Sequence, residues 1–321
     1  MATATPRTQS TKERISLVVP CFNEEKAIGG FLDVVLPIIE SITSVDWEVV
    51  FVDDGSRDET LNLLSLAAKA DTRIRVLGLS RNFGKEAALT AGLHAASGDA
   101  LIPMDVDLQD PPTLLGELVC KYQEGWPIVQ AVRRGRSTDT WLKRTTAKMF
   151  YAFVRGIAAY EVCPDAGDFQ LLSRQVVEEI KLYPEHNRFM KGITAAVGFP
   201  RCKVYFDRQA RTQGNSKFGF WKLWNFALDG ITSFTTLPLR IWFYLGLVTS
   251  VFAFGWGAWL VIRTLVAGVV TPGFISTIVA VLFIGGIQLL GIGIIGEYIG
   301  RISVEVRNRP IYHIAYDSQP N

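Results

Sequence analysis

The chain is poor in the features that mark several common protein classes. Its four cysteines, Cys21, Cys120, Cys163 and Cys202, lie far apart with no CxxC pair, which excludes a disulfide framework and the usual zinc sites. The three histidines, His94, His186 and His313, have no metal-ligand spacing. No charge of one sign dominates: 33 Lys and Arg against 31 Asp and Glu leave +2, so the basic surface of a nucleic-acid binder is missing and no nucleic-acid partner is expected. No apolar stretch opens the sequence, because Met1–Arg14 is polar and reads as a loose tail, not a signal peptide. With 49% hydrophobic residues, disorder is excluded beyond that tail.

What the chain does have is unevenly spread. Trp242–Ile262 contains no charged residue, and after Arg263 none occurs until Glu297, a stretch that includes Phe274–Gly296. At ~1.5 Å per residue each run spans about 30 Å as a helix, the thickness of a bilayer's hydrocarbon core. Lys217, Lys222 and Arg240 precede the first run, Arg301, Arg307 and Arg309 follow the second, and only Arg263 lies near the link. The positive-inside rule then puts both termini in the cytoplasm. Reduced thiols agree with that placement. Phe218, Trp221, Trp224, Leu228 and Ile231 share one helix face, which suggests a helix lying in the headgroup layer, with a plain core helix as the alternative. Gly285, Gly286, Gly291, Gly293 and the Gly296-x-x-x-Gly300 pair give the second run a small-residue face suited to close packing, within the hairpin or between subunits. A homo-oligomer is expected, with a tetramer as one arrangement.

The first ~200 residues alternate between short apolar strands and helix-periodic segments. Strands are predicted at Ile15–Pro20, Trp47–Val52, Ile74–Leu79 and Ala100–Met104, with helices at Glu25–Ile42, Glu59–Ala70, Lys85–Ala96 and Thr113–Glu124. Continuous apolar strands alternating with helices imply an α/β fold with a mostly parallel sheet covered on both faces, whose ligands bind beyond the carboxyl ends of the strands.

Those ends carry the polar residues. Pro20-Cys21-Phe22-Asn23-Glu24-Glu25 follows the first strand, where a dinucleotide-binding fold would place a glycine-rich loop. A ring and carboxylates suit a base and ribose better than a pyrophosphate. Asp53-Asp54-Gly55-Ser56 and Asp58 follow the second strand: Asp54 can accept from a base or ribose, while Ser56 and Asp58 also suit a turn and helix cap. Asp105-Val106-Asp107-Leu108-Gln109 follows the fourth, a D-x-D pair of hard oxygen ligands for Mg²⁺ or Mn²⁺.

The blocks VVPCFNEE, VDDGSRDET, SRNFGKEAAL and MDVDLQDPP, in that order, resemble the family-2 glycosyltransferases of the GT-A fold. The likeness continues through Asp165-Ala166-Gly167-Asp168-Phe169-Gln170 and Arg211-x-x-Gly214-x-Ser216-Lys217 into the paired apolar runs. In this whole form the chain is similar to polyprenyl-phosphate glycosyltransferases, among them bactoprenol glucosyltransferases and dolichol-phosphate mannose synthases. By that resemblance Pro20, Phe22, Glu24, Val52 and Asp54 line the nucleotide pocket. Asp105 and Asp107 hold the diphosphate through a metal, with Gln109 as a further ligand. Lys85 stands near the nucleotide, and Arg211 and Lys217 close over the diphosphate. Asp168 occupies the place of the catalytic carboxylate, with Asp165 as its substitute. No Q-x-x-R-W motif is present, so transfer of one sugar fits better than chain extension.

The implied reaction moves a single hexose, glucose foremost, from a UDP-sugar to polyprenyl (undecaprenyl-type) phosphate at the cytoplasmic membrane face, with inversion. The competing readings are a GDP-mannose-dependent synthase and a non-catalytic membrane scaffold. The basic stretch Arg133-Arg134-Gly135-Arg136 through Lys143, Arg144 and Lys148 is either a solvated face or the capture site of the acceptor phosphate, with Arg133 and Arg144 foremost. The expected layout is a tail over 1–14, a GT-A domain over 15–217, an interfacial helix over 218–237, spans near 240–262 and 274–296 within 238–300, and a cytoplasmic tail over 301–321.

Overall fold

Side-chain alternation on the strands explains why the sheet is covered on both faces. In a computed structural model describing residues 12–133, 166–185, 188, 190–206, 237–268, 273–307 and 309–319, β1 (Arg14–Cys21) is the central strand. Its Ile15, Leu17 and Val19 face one core and Val18 the other. The first core receives helices α1 (Ile28–Ser41), α2 (Thr60–Ala70) and α4 (Leu115–Gln123). Phe31 of α1 meets Phe51 edge-on there, with ring centroids 5.8 Å apart. The second core receives α3 (Lys85–Ala95), α5 (Arg174–Lys181) and α6 (Met190–Ala196).

The remaining strands are β2 (Asp46–Asp53), β3 (Ile74–Leu79), β4 (Ala100–Pro103), β5 (Ile128–Arg133), β6 (Ala166–Ser173), β7 (Arg201–Phe206) and β8 (Ile314–Asp317). The eight strands run in the order β7-β5-β6-β4-β1-β2-β3-β8. β1 pairs in parallel with β2 and β4, β2 with β3, and β5 with β7. β6 is antiparallel to both β4 and β5. The mostly parallel α/β sheet read from the sequence is therefore present, and its first four strands and helices fall within a few residues of their expected bounds. The antiparallel insertion matters for function. It brings the start of β6, with Asp168, to the edge where the parallel strands end.

One element departs from a plain tail. Within the 301–321 segment the structure forms β8, antiparallel to β3 at the sheet edge. Arg75 of β3 grips Asp317 through two parallel bonds of 3.1 and 2.7 Å. Gly78 leaves room for the strand, since a β-carbon there would lie 3.1 Å from that of Tyr316.

The chain divides into two units, the sheet unit with residues 309–321 and a helical unit. The helical unit contains α7 (Leu237–Ala267) and α8 (Phe274–Val306), both long and apolar enough to cross a membrane. The most apolar stretches run over Ile241–Trp259 and Phe283–Val306, and α8 continues beyond the expected end of the span near residue 296. The two helices touch at Gly291, where a β-carbon would lie 2.1 Å from the Trp242 indole nitrogen. Around Gly285, Gly286, Gly293, Gly296 and Gly300 the corresponding space is open. The amphipathic segment expected over 218–237 lies outside the described residues, apart from Leu237.

Helix α3 lies close on the sheet because residue 92 has no side chain. A β-carbon at Gly92 would sit 2.3 Å from Val18 Cγ1 and 3.0 Å from Val52 Cγ2, both on fully buried valines. Gly92→Ala should therefore destabilise the sheet unit by about 1–3 kcal/mol despite alanine's higher helix propensity. The check is the thermal unfolding midpoint of the detergent-solubilised protein, and an unchanged midpoint would show that the helix can lift at no cost.

Candidate active site

The carboxyl ends of β1, β2 and β4 lie side by side, because Cys21 is in register with Asp53 and Val18 with Pro103. The loops leaving these strands are stitched to one another. Asn23 adopts the left-handed conformation (φ 55°), which asparagine tolerates. Its amide donates to Ser56 Oγ at 2.9 Å, and its Oδ1 accepts the Arg57 amide at 2.9 Å. The Glu24 amide donates to Thr60 Oγ1 at 2.9 Å, and Asp58 Oδ1 accepts the Thr60 amide at 3.1 Å just before α2, whose N-cap position is Glu59.

Gly55 (φ 67°) lets a third loop close in. A β-carbon there would lie 2.4 Å from the backbone carbon of Arg81, so the β3–α3 loop can approach only because the position is glycine. Asp54 fastens that loop, accepting the amides of Phe83 at 2.7 Å and Gly84 at 2.8 Å. Burial raises the Asp54 carboxyl above its ordinary range, and the two amide bonds pull it back. Asp54 is thus a loop anchor first, with further lone pairs turned to the cleft.

The cleft holds about 290 Å³ and is lined by Pro20, Phe22, Glu24, Asp54, Asp105 and Asp107, among others. Phe22 is 41% exposed, leaving a ring free to stack. Of the residues assigned to the pocket by resemblance, Val52 alone among those described lies elsewhere. The alternation of β2 buries it in the core beneath α3. Sequence reasoning assigned no role to Asn82, Gly84, Cys21, Ala88 or Val106, which also line the cleft. Asn82, Gly84 and Ala88 sit inside the SRNFGKEAAL block, which is where a signal for them existed.

Charge is concentrated at one end. The Lys85 ammonium, on the first turn of α3, donates to Asp105 at 2.7 Å and to Asp168 at 3.2 Å. Burial works against its charge, but Asp105 and Asp168 outweigh that and hold its pKa up at about 12. Glu24 is raised by burial and then by the charges of Asp107, Asp58 and Asp105. The neighbouring Glu86 is pushed up to about 7 by burial and by Asp168, although the Met190 amide donates to it. Leu108 adopts φ 53°, unusual for a bulky side chain, and turns the Gln109 amide back onto Asp107 Oδ1 at 3.1 Å. The Gln109 side-chain amide also donates to Asp107.

Asp105 and Asp107 fit a divalent cation in one particular way. No group of three carboxylate, histidine or cysteine side chains is arranged to hold an ion among the described residues. Mg²⁺, however, is commonly held by one or two carboxylates with substrate phosphates completing its shell. The pair offers those two carboxylates, and a cation would relieve the charges of Asp107 and Asp105 that, after burial, raise Glu24. Arg133 ends β5, and the pairing of Val132 with Ala166 sets it at the same sheet edge as the start of β6. Arg144, Asp165, Arg211 and Lys217 lie outside the described residues.

Comparison with known proteins covers both parts of the chain. Residues 16–181 match the glycosyl transferase family 2 model, and residues 237–302 match the GtrB C-terminal hairpin model. The SfII prophage-derived bactoprenol glucosyl transferase of Shigella flexneri is 50% identical over 308 residues, covering 96% of this chain and 99% of that one. The prophage bactoprenol glucosyl transferase homolog of Escherichia coli K12 is 50% identical over 301 residues, covering 94% and 98%. The uncharacterized glycosyltransferase sll0501 of Synechocystis is 46% identical over 301 residues, covering 94% of each chain. The family model spans every strand end that builds the described cleft, and the relatives extend the likeness to nearly the full length: the chain belongs to glycosyl transferase family 2, as a glycosyltransferase with the GT-A fold.

Proposed function

We propose that this protein transfers one glucose from UDP-glucose to a polyprenyl (undecaprenyl-type) phosphate at the cytoplasmic face of a membrane, with inversion at the anomeric carbon and dependence on Mg²⁺ or Mn²⁺. The observation that carries the reading is the arrangement around Lys85. Its ammonium bridges the D-x-D carboxylate Asp105 and the opposite carboxylate Asp168 across one end of the cleft. Such alternation of charge suits a donor diphosphate on one side and an anionic acceptor on the other. Relatives 50% identical over nearly their whole length that are named bactoprenol glucosyl transferases support a glucosyl donor and a polyprenyl acceptor.

The acceptor shapes what the residues must do. A phosphate monoester has a second pKa of about 6, so it arrives as a nucleophile already ionised. No side chain is then needed to remove a proton in the transition state. Asp168, held by Lys85, orients the acceptor or a sugar hydroxyl. Phe22 stacks on the base, and the free lone pairs of Asp54 and Glu24 accept from base or ribose. Asp105 and Asp107 would hold the divalent cation, with Gln109 as a further candidate, and that cation supplies charge neutralisation for the departing diphosphate. Arg211 and Lys217 add cationic cover to the diphosphate, and Arg133 with Arg144 grips the lipid phosphate.

The helical pair would keep the enzyme beside an acceptor that its polyprenyl chain confines to the bilayer. Phe254, Leu265 and Val266 are at least 80% exposed, and apolar surface of this extent calls for a bilayer. Basic residues flanking the runs orient both termini to the cytoplasm. The small-residue face left open on α8 suits a neighbouring subunit, so a homo-oligomer is part of the proposal.

Three outcomes are expected. Asp107→Ala should abolish cation-dependent turnover when membranes are incubated with a panel of labelled nucleotide sugars and the lipid is extracted; retained turnover would remove the D-x-D pair from the reaction. Arg144→Ala should raise the lipid KM by roughly tenfold or more while leaving the nucleotide-sugar KM near wild type, and equal effects on both would count against phosphate capture there. NMR of the lipid product should show a β-linked sugar from the α-linked donor, and retention would exclude a single displacement.

A further inference from the structure

The segment that follows α8 touches both ends of the helix that carries Lys85. On one side the His313 carbonyl accepts the Ser80 amide at 2.9 Å. The His313 ring lies 6.0 Å from that of Phe83 at an interplanar angle of 57°. Phe83 carries the Arg81 guanidinium 4.1 Å over its ring and donates its backbone amide to Asp54. On the other side the Tyr312 hydroxyl is 2.9 Å from His94 Nδ1, in the last turn of α3, with ring centroids 6.0 Å apart. Burial, followed by the charges of Arg188 and Lys181, holds His94 down to about 4, so the contact joins two neutral groups near pH 7. Tyr312 and Phe83 pack against the same core, and the Arg75–Asp317 pair anchors the strand that continues from them.

Neither Tyr312 nor His313 lines the cleft. Both contact residues of the same loop and helix as groups that do, His313 through Ser80 and Phe83 and Tyr312 through His94. The loop they hold supplies Asn82 and Gly84 to the cleft, and the helix they span begins with Lys85. Fixing that helix at Phe83 and at His94 fixes where the Lys85 ammonium stands between Asp105 and Asp168.

We propose that Tyr312 and His313 are positioning residues for the donor site, clasping the Ser80–Gly84 loop and α3 so that Lys85 and the loop amides are set before a nucleoside diphosphate sugar binds. The proposal rests on the donor reading given above. Its logic is preorganisation: a loop already held in its bound form gives up less freedom when the ligand arrives. The apolar hairpin directly precedes this clasp in the chain.

The test uses the full chain in detergent. His313→Ala removes the ring but keeps the backbone carbonyl. It should raise the donor KM roughly fivefold with little change in kcat or lipid KM, while His313→Phe, which retains an aromatic face, should restore it. Tyr312→Phe removes a single oxygen and should give a smaller shift in the same direction, and it decides the matter if His313→Ala does not accumulate. A second readout needs no turnover: hydrogen exchange at the Phe83 and Gly84 amides should accelerate in His313→Ala. An unchanged donor KM, an equal rise in donor and lipid KM, or failure of His313→Phe to restore would overturn the clasp. If the wild-type protein neither binds UDP nor turns over UDP-glucose, the donor reading falls. The exchange measurement then decides the clasp alone, and unaltered exchange at both amides overturns it.

Discussion

Like charges crowded at one sheet edge are the constraint on which the rest of the structure depends. Among the described residues lining the cleft, Glu24, Asp54, Asp105 and Asp107 are acids and Lys85 is a base. Carboxylates at this density repel one another, and Glu24 is raised by burial first and then by the charges of Asp107, Asp58 and Asp105. The fold contains the repulsion in two ways. Each oxygen of Asp54 accepts one backbone amide, and Asp105 shares the Lys85 ammonium with Asp168. What stays uncompensated attracts cations, which is the condition for holding a diphosphate beside acidic side chains.

The sheet topology makes this crowding possible. Parallel strands bring their carboxyl ends to one edge, and the loops there are free to carry polar side chains because helices cover the faces. The antiparallel β6 then contributes its starting end to that edge, so one carboxylate arrives from the opposite chain direction. A backbone conformation unusual for its residue type, at Leu108, occurs where a side chain must be aimed. Strain of about 1–3 kcal/mol at such a position is sustained by the surrounding bonds and packing.

Much of this was legible in the sequence, for physical reasons. Apolar runs such as ISLVVP and WEVVFV have a single stable use, as strands buried on both faces, and helix periodicity marked what lay between them. The D-x-D pair was legible because acids directly after such a strand must lie at its end. Lys85 was read only through family likeness, since a lysine opening a helix carries no signal of its own. The anchoring role of Asp54 was hidden, because its partners are backbone amides some thirty residues away. Val52 was read as pocket when strand alternation turns it inward. β8 escaped notice because Ile314–Asp317 is four residues long and finds its partner across more than two hundred positions. A strand so short is stabilised by its neighbour, not by its own pattern.

That long separation has a consequence for how the molecule is made. Arg75 and Asp317 are 242 residues apart, and both apolar helices lie between them in the chain. Strands β1 to β7 and both apolar helices precede β8 in the chain, so the outer edge of β3 has no partner strand until β8 has been made. An exposed strand edge is prone to wrong partners. The order of elements in the chain therefore makes completion of the sheet a late event in synthesis, which closes the vulnerable side of the enzyme only after both apolar helices have been made.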